Sequence, residues 1–160
     1  MTLHKPRPPP LPPNPILTKA SILIDKDGHA RLADFELFAV VSDPANPTAS
    51  SSYIIGGATR RTSPELLALD WTGLKNGRPM KQSDYYALGT VIYEVLTGWA
   101  PFSQFNHYVV IRKIMDGERP ERPGVEEVWF TDGLWRMLGR CWETRPESRP
   151  SVAAVLECLE

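Results

Sequence analysis

Few side chains in this sequence have the type and spacing that chemistry requires. Asp34 and Glu36 place two carboxylates close together and could bind a hard divalent cation, which takes carboxylate oxygens as ligands. The favoured alternative is that Glu36 is simply tolerated at a site whose function has lapsed. The three histidines are far apart in the chain and do not have the ligand spacing of a structural zinc site. Asp25 and Asp27 precede Gly28 as in the first part of a calcium loop, but the later ligands are absent, so this stretch predicts a turn.

The start of the chain, residues 1–15, is rich in proline. Proline lacks an amide hydrogen and holds the backbone extended, so this segment predicts a disordered tail rather than a helix or a central strand. Arg7, Pro10 and Pro13 fit the Arg-x-x-Pro-x-x-Pro pattern of SH3-domain ligands, in which the arginine meets an acidic rim. An SH3-domain protein is therefore the predicted partner of residues 7–13, and a proline-rich tail without a partner is the alternative.

The composition excludes several classes of partner. With 160 residues, 42% hydrophobic and 23% charged, the chain has the make-up of one soluble globular domain. The formal net charge of -1, with both signs mixed along the chain, gives no basic field for nucleic acid or an anionic membrane surface. The most apolar stretch, residues 87–102, is too short and too interrupted to span a bilayer. Two cysteines, Cys141 and Cys158, fit a reducing compartment, so we expect a cytoplasmic protein.

The elements that must position any site begin after the tail. The apolar stretches 22–24 and 30–32 flank Asp27-Gly28, a pair that supplies the positive backbone dihedrals of a tight hairpin. The residues between 34 and 64 are rich in Ser, Thr, Gly and Pro, which predicts a long surface loop. Helical periodicity then predicts four helices: one capped by Ser83 and running through Thr97, a second over 107–116, a third over 131–142 and a fourth starting at a Ser151 cap. The first of these is apolar nearly all round and is expected at the centre of the fold.

This order of elements, over roughly residues 16–160, resembles the C-terminal lobe of a eukaryotic protein kinase of the Ser/Thr or tyrosine-kinase-like type. Asp34-Phe35-Glu36 resembles the metal-binding Asp-Phe-Gly motif, and Ser63-Pro64-Glu65 resembles the Ala-Pro-Glu that closes an activation segment of about residues 34–65. The stretch from Asp84 to Gly89 is similar to the start of the central kinase helix. Three later pairs resemble the Cys-Trp, Asp-Pro and Arg-Pro motifs found late in tyrosine and tyrosine-kinase-like kinase domains: Cys141-Trp142, Arg145-Pro146 and Arg149-Pro150. The resemblance implies a mainly α (α+β) kinase-like C-terminal lobe with one short β-hairpin and no N-terminal lobe.

Four residues take structural roles through this resemblance: Glu65, Asp84, Trp142 and Arg149. In the family the glutamate at position 65 pairs with the arginine at position 149, and this shielded charge-assisted bond ties the end of the activation segment to the last helices. Two unrelated surface charges are the alternative. The carboxylate at position 84 normally receives backbone amides from the catalytic loop, and Pro15 has no amide to give.

ATP and magnesium enter by family resemblance only. Phosphoryl transfer in kinases uses a Gly-rich loop, a paired Lys and Glu, a catalytic Asp, and an Asn and an Asp that hold magnesium. The residues before position 16 leave no room for the Gly-rich loop or for the paired Lys and Glu. The alignment then puts Ile16 at the position of the catalytic Asp, Thr18 at that of the catalytic-loop Lys and Ser21 at that of the magnesium Asn. Only Asp34 remains as a cofactor-binding and metal-binding residue, and no catalytic residue is intact. Losing a general base removes on the order of 10²–10⁴ in rate, so we expect an inactive chain that needs no cofactor.

Three functions remain open: a truncated, pseudokinase-like binding module, an active Ser/Thr kinase whose N-terminal half is missing from this sequence, and a non-functional remnant. Kinases pack their central helix against a helix that precedes the catalytic loop, and this chain begins after it. We therefore expect an uncovered apolar helical face that could bind a protein partner, and a melting midpoint no higher than about 65 °C. Phosphates on the loop hydroxyls could pair with Arg60 or Arg61, with an inert polar loop as the alternative.

Overall fold

The computed structural model of the chain describes residues 19–33, 59–72, 80–124 and 130–159. Within these ranges the fold consists of one hairpin, five helices and three single 3-10 turns. The strands are β1 (Ile22–Ile24) and β2 (Ala30–Leu32); the helices are α1 (Pro64–Thr72), α2 (Lys81–Thr97), α3 (His107–Met115), α4 (Asp132–Cys141) and α5 (Val152–Leu159); the 3-10 turns are Lys19–Ser21, Thr59–Arg61 and Pro146–Ser148. This is the predicted mainly α fold with one short hairpin.

The hairpin follows from its turn residues. Strands β1 and β2 pair antiparallel, with Ile22 opposite Leu32. The Oδ1 atom of Asp25 accepts hydrogen bonds from the amides of Asp27 and His29, at 3.0 and 2.9 Å. Gly28 takes a φ of 83°, which side chains disfavour, so the glycine closes the turn at little steric cost. The Asp25 carboxylate is therefore used inside the turn, as the sequence predicted.

Helix α2 begins earlier than the sequence indicated. The predicted cap at Ser83 is wrong, because the helix starts at Lys81 and Ser83 already lies in its first turn. The Ser83 hydroxyl donates to Glu65 Oε1 at 2.9 Å, a partner that local periodicity does not reveal. The predicted C-terminus is confirmed: Gly98 adopts a left-handed φ of 75° and its amide donates to the Glu94 carbonyl at 2.9 Å.

The later helices begin at side-chain caps, each satisfying one amide that the first turn leaves without an internal partner. Thr131 Oγ1 accepts from the Leu134 amide at 3.1 Å at the start of α4. Ser151 Oγ accepts from the Ala154 amide at 3.3 Å at the start of α5. The predicted bounds of α3 and α4 agree with the structure to within one residue at each end.

Helix α1 was not predicted. The sequence places Pro64 at its first position and Glu65 in its first turn, a combination that favours a helix start because proline fixes φ and the carboxylate meets the positive end of the helix dipole. That signal lay within the Ser-Pro-Glu motif and was interpreted as the end of a loop. Leu67, on the second turn, is 2% exposed and joins the core.

Helix α2 lies at the centre of the core, as expected from its composition. Four aromatic side chains, one of them on α2, each contact two of the others, with neighbouring ring centroids 5.8 to 6.1 Å apart: Tyr93, Phe130, Trp135 and Trp142. Three of these contacts are edge-on and the fourth is tilted, geometries that the ring quadrupoles favour over a face-to-face stack. A smaller cluster, Ala87 and Val91 with Ile22, packs the hairpin on the same helix. In the described ranges, no helix combines the length and the apolar character needed to cross a membrane.

Candidate functional site

The predicted chemistry falls largely outside the described residues. Asp34 and Glu36 lie there, as do the SH3-ligand candidates Arg7, Pro10 and Pro13. The exception is Ser21, at the position that the resemblance gives to the magnesium Asn.

Ser21 is 4% exposed, and its carbonyl accepts from the Ala33 amide at 2.8 Å across the base of the hairpin. This position therefore presents a buried serine hydroxyl in the place of an amide ligand.

The predicted ion pair between Glu65 and Arg149 is present in the structure. Arg149 Nη1 donates to Glu65 Oε1 at 2.8 Å and Nη2 donates to Oε2 at 2.7 Å, a two-bond, fork-to-fork geometry. The Arg149 side chain is 0% exposed and the Glu65 side chain is 20% exposed. The pair links the first turn of α1 to the segment just before α5, across 84 positions of sequence.

Arg149 also binds backbone from two other segments. Its Nη1 donates to the Gln82 carbonyl at 2.9 Å, in the first turn of α2, and its Nε donates to the Glu143 carbonyl at 2.8 Å, just after α4. The guanidinium carbon lies 5.2 Å from the centroid of the Tyr86 ring. One buried cation therefore joins four parts of the helical core, which is why arginine rather than lysine suits this position.

The electrostatics of the pair favour its charged form. Burial raises the pKa of Glu65, but the hydrogen bonds and charge of Arg149 outweigh it and hold that pKa below the usual 4.5. The carboxylate is therefore ionised at neutral pH and compensates the buried guanidinium. This is the condition under which a buried ion pair is tolerated.

Asp84 and Trp142 also have structural positions, one at the start of α2 and one in the core. Asp84 lies in the first turn of α2, where the helix dipole favours a carboxylate. Trp142 is 1% exposed, and its indole Nε1 donates to Thr90 Oγ1 at 3.1 Å. Gly89 lies between them in the chain, and a Cβ there would stand 2.6 Å from the Cβ of Cys141. The glycine of the Asp-to-Gly motif is therefore required so that α2 and α4 can approach.

A second charge cluster, centred on the buried Glu94, was missed by the sequence reasoning. Glu94, with a side chain 4% exposed, accepts from Arg61 Nη2 at 2.6 Å and pairs with Lys19 Nζ at 2.9 Å. Burial raises the pKa of Glu94, but the hydrogen bonds of Lys19 and Arg61 lower it below 4.5 overall. The only sequence signal was an acidic residue within an otherwise apolar stretch of α2.

Arg60 and Arg61 are both committed to protein groups. Arg60 Nη1 donates to the Phe102 carbonyl at 2.8 Å and its Nη2 donates to the Phe105 carbonyl at 2.7 Å, while Arg61 pairs with Glu94. A phosphate on the loop hydroxyls would have to compete with these bonds to pair with either arginine, and most of those hydroxyls lie outside the described residues. Phe102, held by Arg60, has a positive φ of 56°, which is unusual for a bulky residue.

A profile of the family described as "Protein tyrosine and serine/threonine kinase" matches residues 16–159. This chain belongs to the protein kinase family. Among curated kinases, Serine/threonine-protein kinase mos of Patiria pectinifera is 33% identical over 147 residues, covering 88% of this chain and 38% of that protein. Probable serine/threonine-protein kinase drkD of Dictyostelium discoideum is 32% identical over 140 residues, covering 88% of this chain and 10% of its own length. Receptor-interacting serine/threonine-protein kinase 3 of Rattus norvegicus is 29% identical over 146 residues, covering 84% of this chain and 28% of that protein.

The chain thus spans well under half the length of these kinases. Its described residues hold the parts of a kinase-family lobe that carry no phosphate chemistry: the Glu65–Arg149 pair, the close approach at Gly89 and the Trp142 anchor. Those contacts fix the relative positions of α1, α2, α4 and α5. They build a structural framework.

Proposed function

We propose that this chain is a catalytically inactive member of the protein kinase family that acts by binding other proteins. The observation that carries the proposal is Ser21, which stands at the position of the magnesium Asn as a buried, hydrogen-bonded serine. Sequence adds Ile16 and Thr18 at the positions of the catalytic Asp and Lys. A kinase needs these groups placed together, because phosphoryl transfer depends on positioning and charge neutralisation.

The identity of residue 21 supports a chain that works without ATP and magnesium. Magnesium requires an octahedral set of oxygen ligands and binds through one or two carboxylates together with the phosphates. At position 21 a serine replaces the expected ligand and is enclosed, which leaves Asp34 as the one family ligand in the sequence. We therefore propose that this chain needs no cofactor, and no catalytic step is derived through one.

Thermal denaturation with and without ATP and magnesium tests this proposal. A nucleotide present at 100 times its Kd stabilises the folded state by about 2.7 kcal/mol. In a domain of this size that corresponds to a rise of about 5–10 °C in the melting midpoint. We expect no rise, in the native chain or in the matched variant Asp34→Ala. A rise in the native chain that Asp34→Ala abolishes would show a working metal-nucleotide site and overturn the proposal.

The proposed partner of the tail is an SH3-domain protein, through Arg7, Pro10 and Pro13. The proposal is supported by the spacing of these residues in the sequence. A peptide of residues 1–16 should bind at least one member of an SH3 panel more tightly than about millimolar, and Arg7→Ala should weaken that binding. Because the chain has only two cysteines, a number that suits a reducing compartment, we further propose a cytoplasmic location.

The second candidate is an active Ser/Thr kinase whose N-terminal half lies upstream of the sequence considered. It is favoured by the fact that the chain spans 38% or less of the kinases named above. Transcript and genomic sequence upstream of residue 21 distinguishes the two candidates. An in-frame His-Arg-Asp-type loop there, with a Gly-rich loop and Lys before it, would favour the active kinase.

A further inference from the structure

Trp99 is the most exposed large apolar side chain in the described ranges, at 70%. Val95, four residues earlier on the last turn of α2, is 65% exposed. We refer to Val95 and Trp99 as the α2-end patch. An exposed tryptophan costs free energy in water, and tryptophan is typical of surfaces that bind extended, proline-rich chains.

The backbone holds Trp99 in a fixed position. Gly98 ends α2 in the left-handed conformation, and the Thr97 hydroxyl accepts a hydrogen bond from the Trp99 amide at 3.2 Å. The same hydroxyl lies 2.8 Å from the Tyr93 carbonyl and 3.1 Å from the Trp99 carbonyl. A ligand for this patch would therefore pay little to order the backbone that presents it.

Lys19, the first described residue, is tied to the last turn of α2. Lys19 Nζ pairs with Glu94 Oε1 at 2.9 Å, and the Glu94 carbonyl accepts from the Gly98 amide at 2.9 Å. The point where the described structure begins is thus held beside the last turn of α2. Eighteen residues precede Lys19 in the sequence, and all seven of their prolines lie between positions 6 and 15.

The reach and chemistry of that segment match the patch. An extended proline helix rises about 3.1 Å per residue, so the six residues from Pro13 to Lys19 can cover about 19 Å, several times the 5.4 Å pitch of one helical turn. Proline rings stack on aromatic surfaces, and a chain already extended loses little conformational entropy when it docks. The tail also carries no acidic residue before Asp25, so nothing in it repels an aromatic face.

We propose that the proline-rich segment, residues 8–13, docks on the α2-end patch of its own chain. This contact goes beyond the proposed function, since it requires neither an inactive kinase lobe nor an SH3-domain partner. It makes the tail an internal ligand whose release exposes Trp99 and the Arg-x-x-Pro-x-x-Pro sequence together.

Fluorine NMR of the full chain labelled with 5-fluorotryptophan tests the contact. The chain has five tryptophans, and Trp99→Phe identifies the Trp99 resonance. The comparison variant replaces the prolines at positions 8, 9, 10, 12 and 13 with serine, which keeps the length of the tail. We expect the Trp99 resonance to shift, and its sensitivity to exchange of H₂O for D₂O to increase, while the buried Trp142 resonance stays unchanged.

The matched control is Arg7→Ala, which removes the SH3 element but keeps every proline; it should leave the Trp99 resonance at its native position. Failure of SH3 binding is thus separate from failure of docking. An identical Trp99 resonance and solvent sensitivity in the native and serine chains overturns the proposal. A Trp99 shift that disappears on dilution also overturns it, because it shows docking between two copies.

An affinity measurement gives a second readout with an SH3 domain that binds the peptide of residues 1–16. If the tail is docked for about nine-tenths of the time, the full chain should bind that domain about tenfold more weakly than its Trp99→Ala variant does. Trp99 is exposed, so this variant should fold normally. Equal affinities of the two chains would contradict docking at Trp99.

Discussion

Replacing Arg149 with methionine should destabilise the fold strongly. The substitution keeps much of the side-chain volume but removes the guanidinium, whose own side chain is 0% exposed. Glu65 then keeps its charge in a site with 20% exposure, and the carbonyls of Gln82 and Glu143 lose their donor. Removing one member of a buried pair in this way typically costs about 3–5 kcal/mol. Because Glu65 retains some contact with water, we expect the lower end of that range, about 3 kcal/mol.

Urea unfolding at pH 7, followed by tryptophan fluorescence, measures this loss. The free energy of unfolding falls by about 2 kcal/mol per molar urea, so a loss of about 3 kcal/mol in stability lowers the urea midpoint by about 1.5 M. The matched control is Arg122→Met, which breaks the ion pair between Arg122 and Asp132. The side chain of Arg122 is 43% exposed and that of Asp132 is 76% exposed. An exposed pair contributes only about 0–1 kcal/mol, so the control should shift the midpoint by less than about 0.5 M.

The double variant Glu65→Gln with Arg149→Met distinguishes a stranded charge from lost packing. If the stranded carboxylate causes the damage, the double variant should be more stable than Arg149→Met alone, with a coupling of about 0.5–3 kcal/mol. Where Arg149→Met does not fold, Arg149→Lys keeps the charge without the two-bond geometry and is measured instead. A loss below about 1 kcal/mol in Arg149→Met, equal to that of the Arg122 control, would refute the reasoning.

Two further predictions concern packing and pH. Gly89→Ala should lower the free energy of unfolding by about 1–3 kcal/mol, because its Cβ would stand 2.6 Å from the Cβ of Cys141. Stability should also fall in acid: Glu65 and Glu94 have folded-state pKa values below the usual 4.5, so their contribution is present above about pH 4.5 and is lost as the pH falls through those lowered values. Urea midpoints measured at neutral and acidic pH test both.

A specific result would contradict each of these two predictions. Gly139→Ala is the control for Gly89, since a Cβ at Gly139 meets nothing within 4 Å and alanine should stabilise that helix by about 0.5–1 kcal/mol. Equal effects of the two substitutions would mean that the approach of α2 to α4 is not tight. A urea midpoint that stays constant down to pH 3 would mean that neither carboxylate is held in its ionised form by the fold.

The sequence predicted the features that depend on neighbouring residues. The hairpin follows from Asp25 and Gly28, which act within a few positions of each other. The C-terminus of α2 at Gly98 and the caps at Thr131 and Ser151 are equally local. Family resemblance added one long-range contact, between Glu65 and Arg149, because the motifs around them fix both positions at once.

Two features of the helices were missed, for different reasons. Ser83 was predicted as the N-cap of α2, but it lies in the first turn, where its hydroxyl accepts from the Met80 amide at 3.4 Å and donates to Glu65 Oε1, 18 positions away. Helix α1 was missed because its Pro-Glu start, a local signal, coincides with a motif interpreted as a loop end. Periodicity could not have revealed the bond between Ser83 and Glu65, because the two residues lie on different helices.

By itself the sequence determined the family and the mainly helical lobe, because those are properties of residue identity and order. Only the tertiary structure decided where the charges go: Glu94 lies 33 positions from Arg61 and is buried between that arginine and Lys19. It likewise decided that Arg60 is bound to the carbonyls after α2 and that Trp99 packs into neither core cluster of the described residues. The physical reason is that burial and ion pairing depend on distances in space, which the chain fixes only when its helices pack.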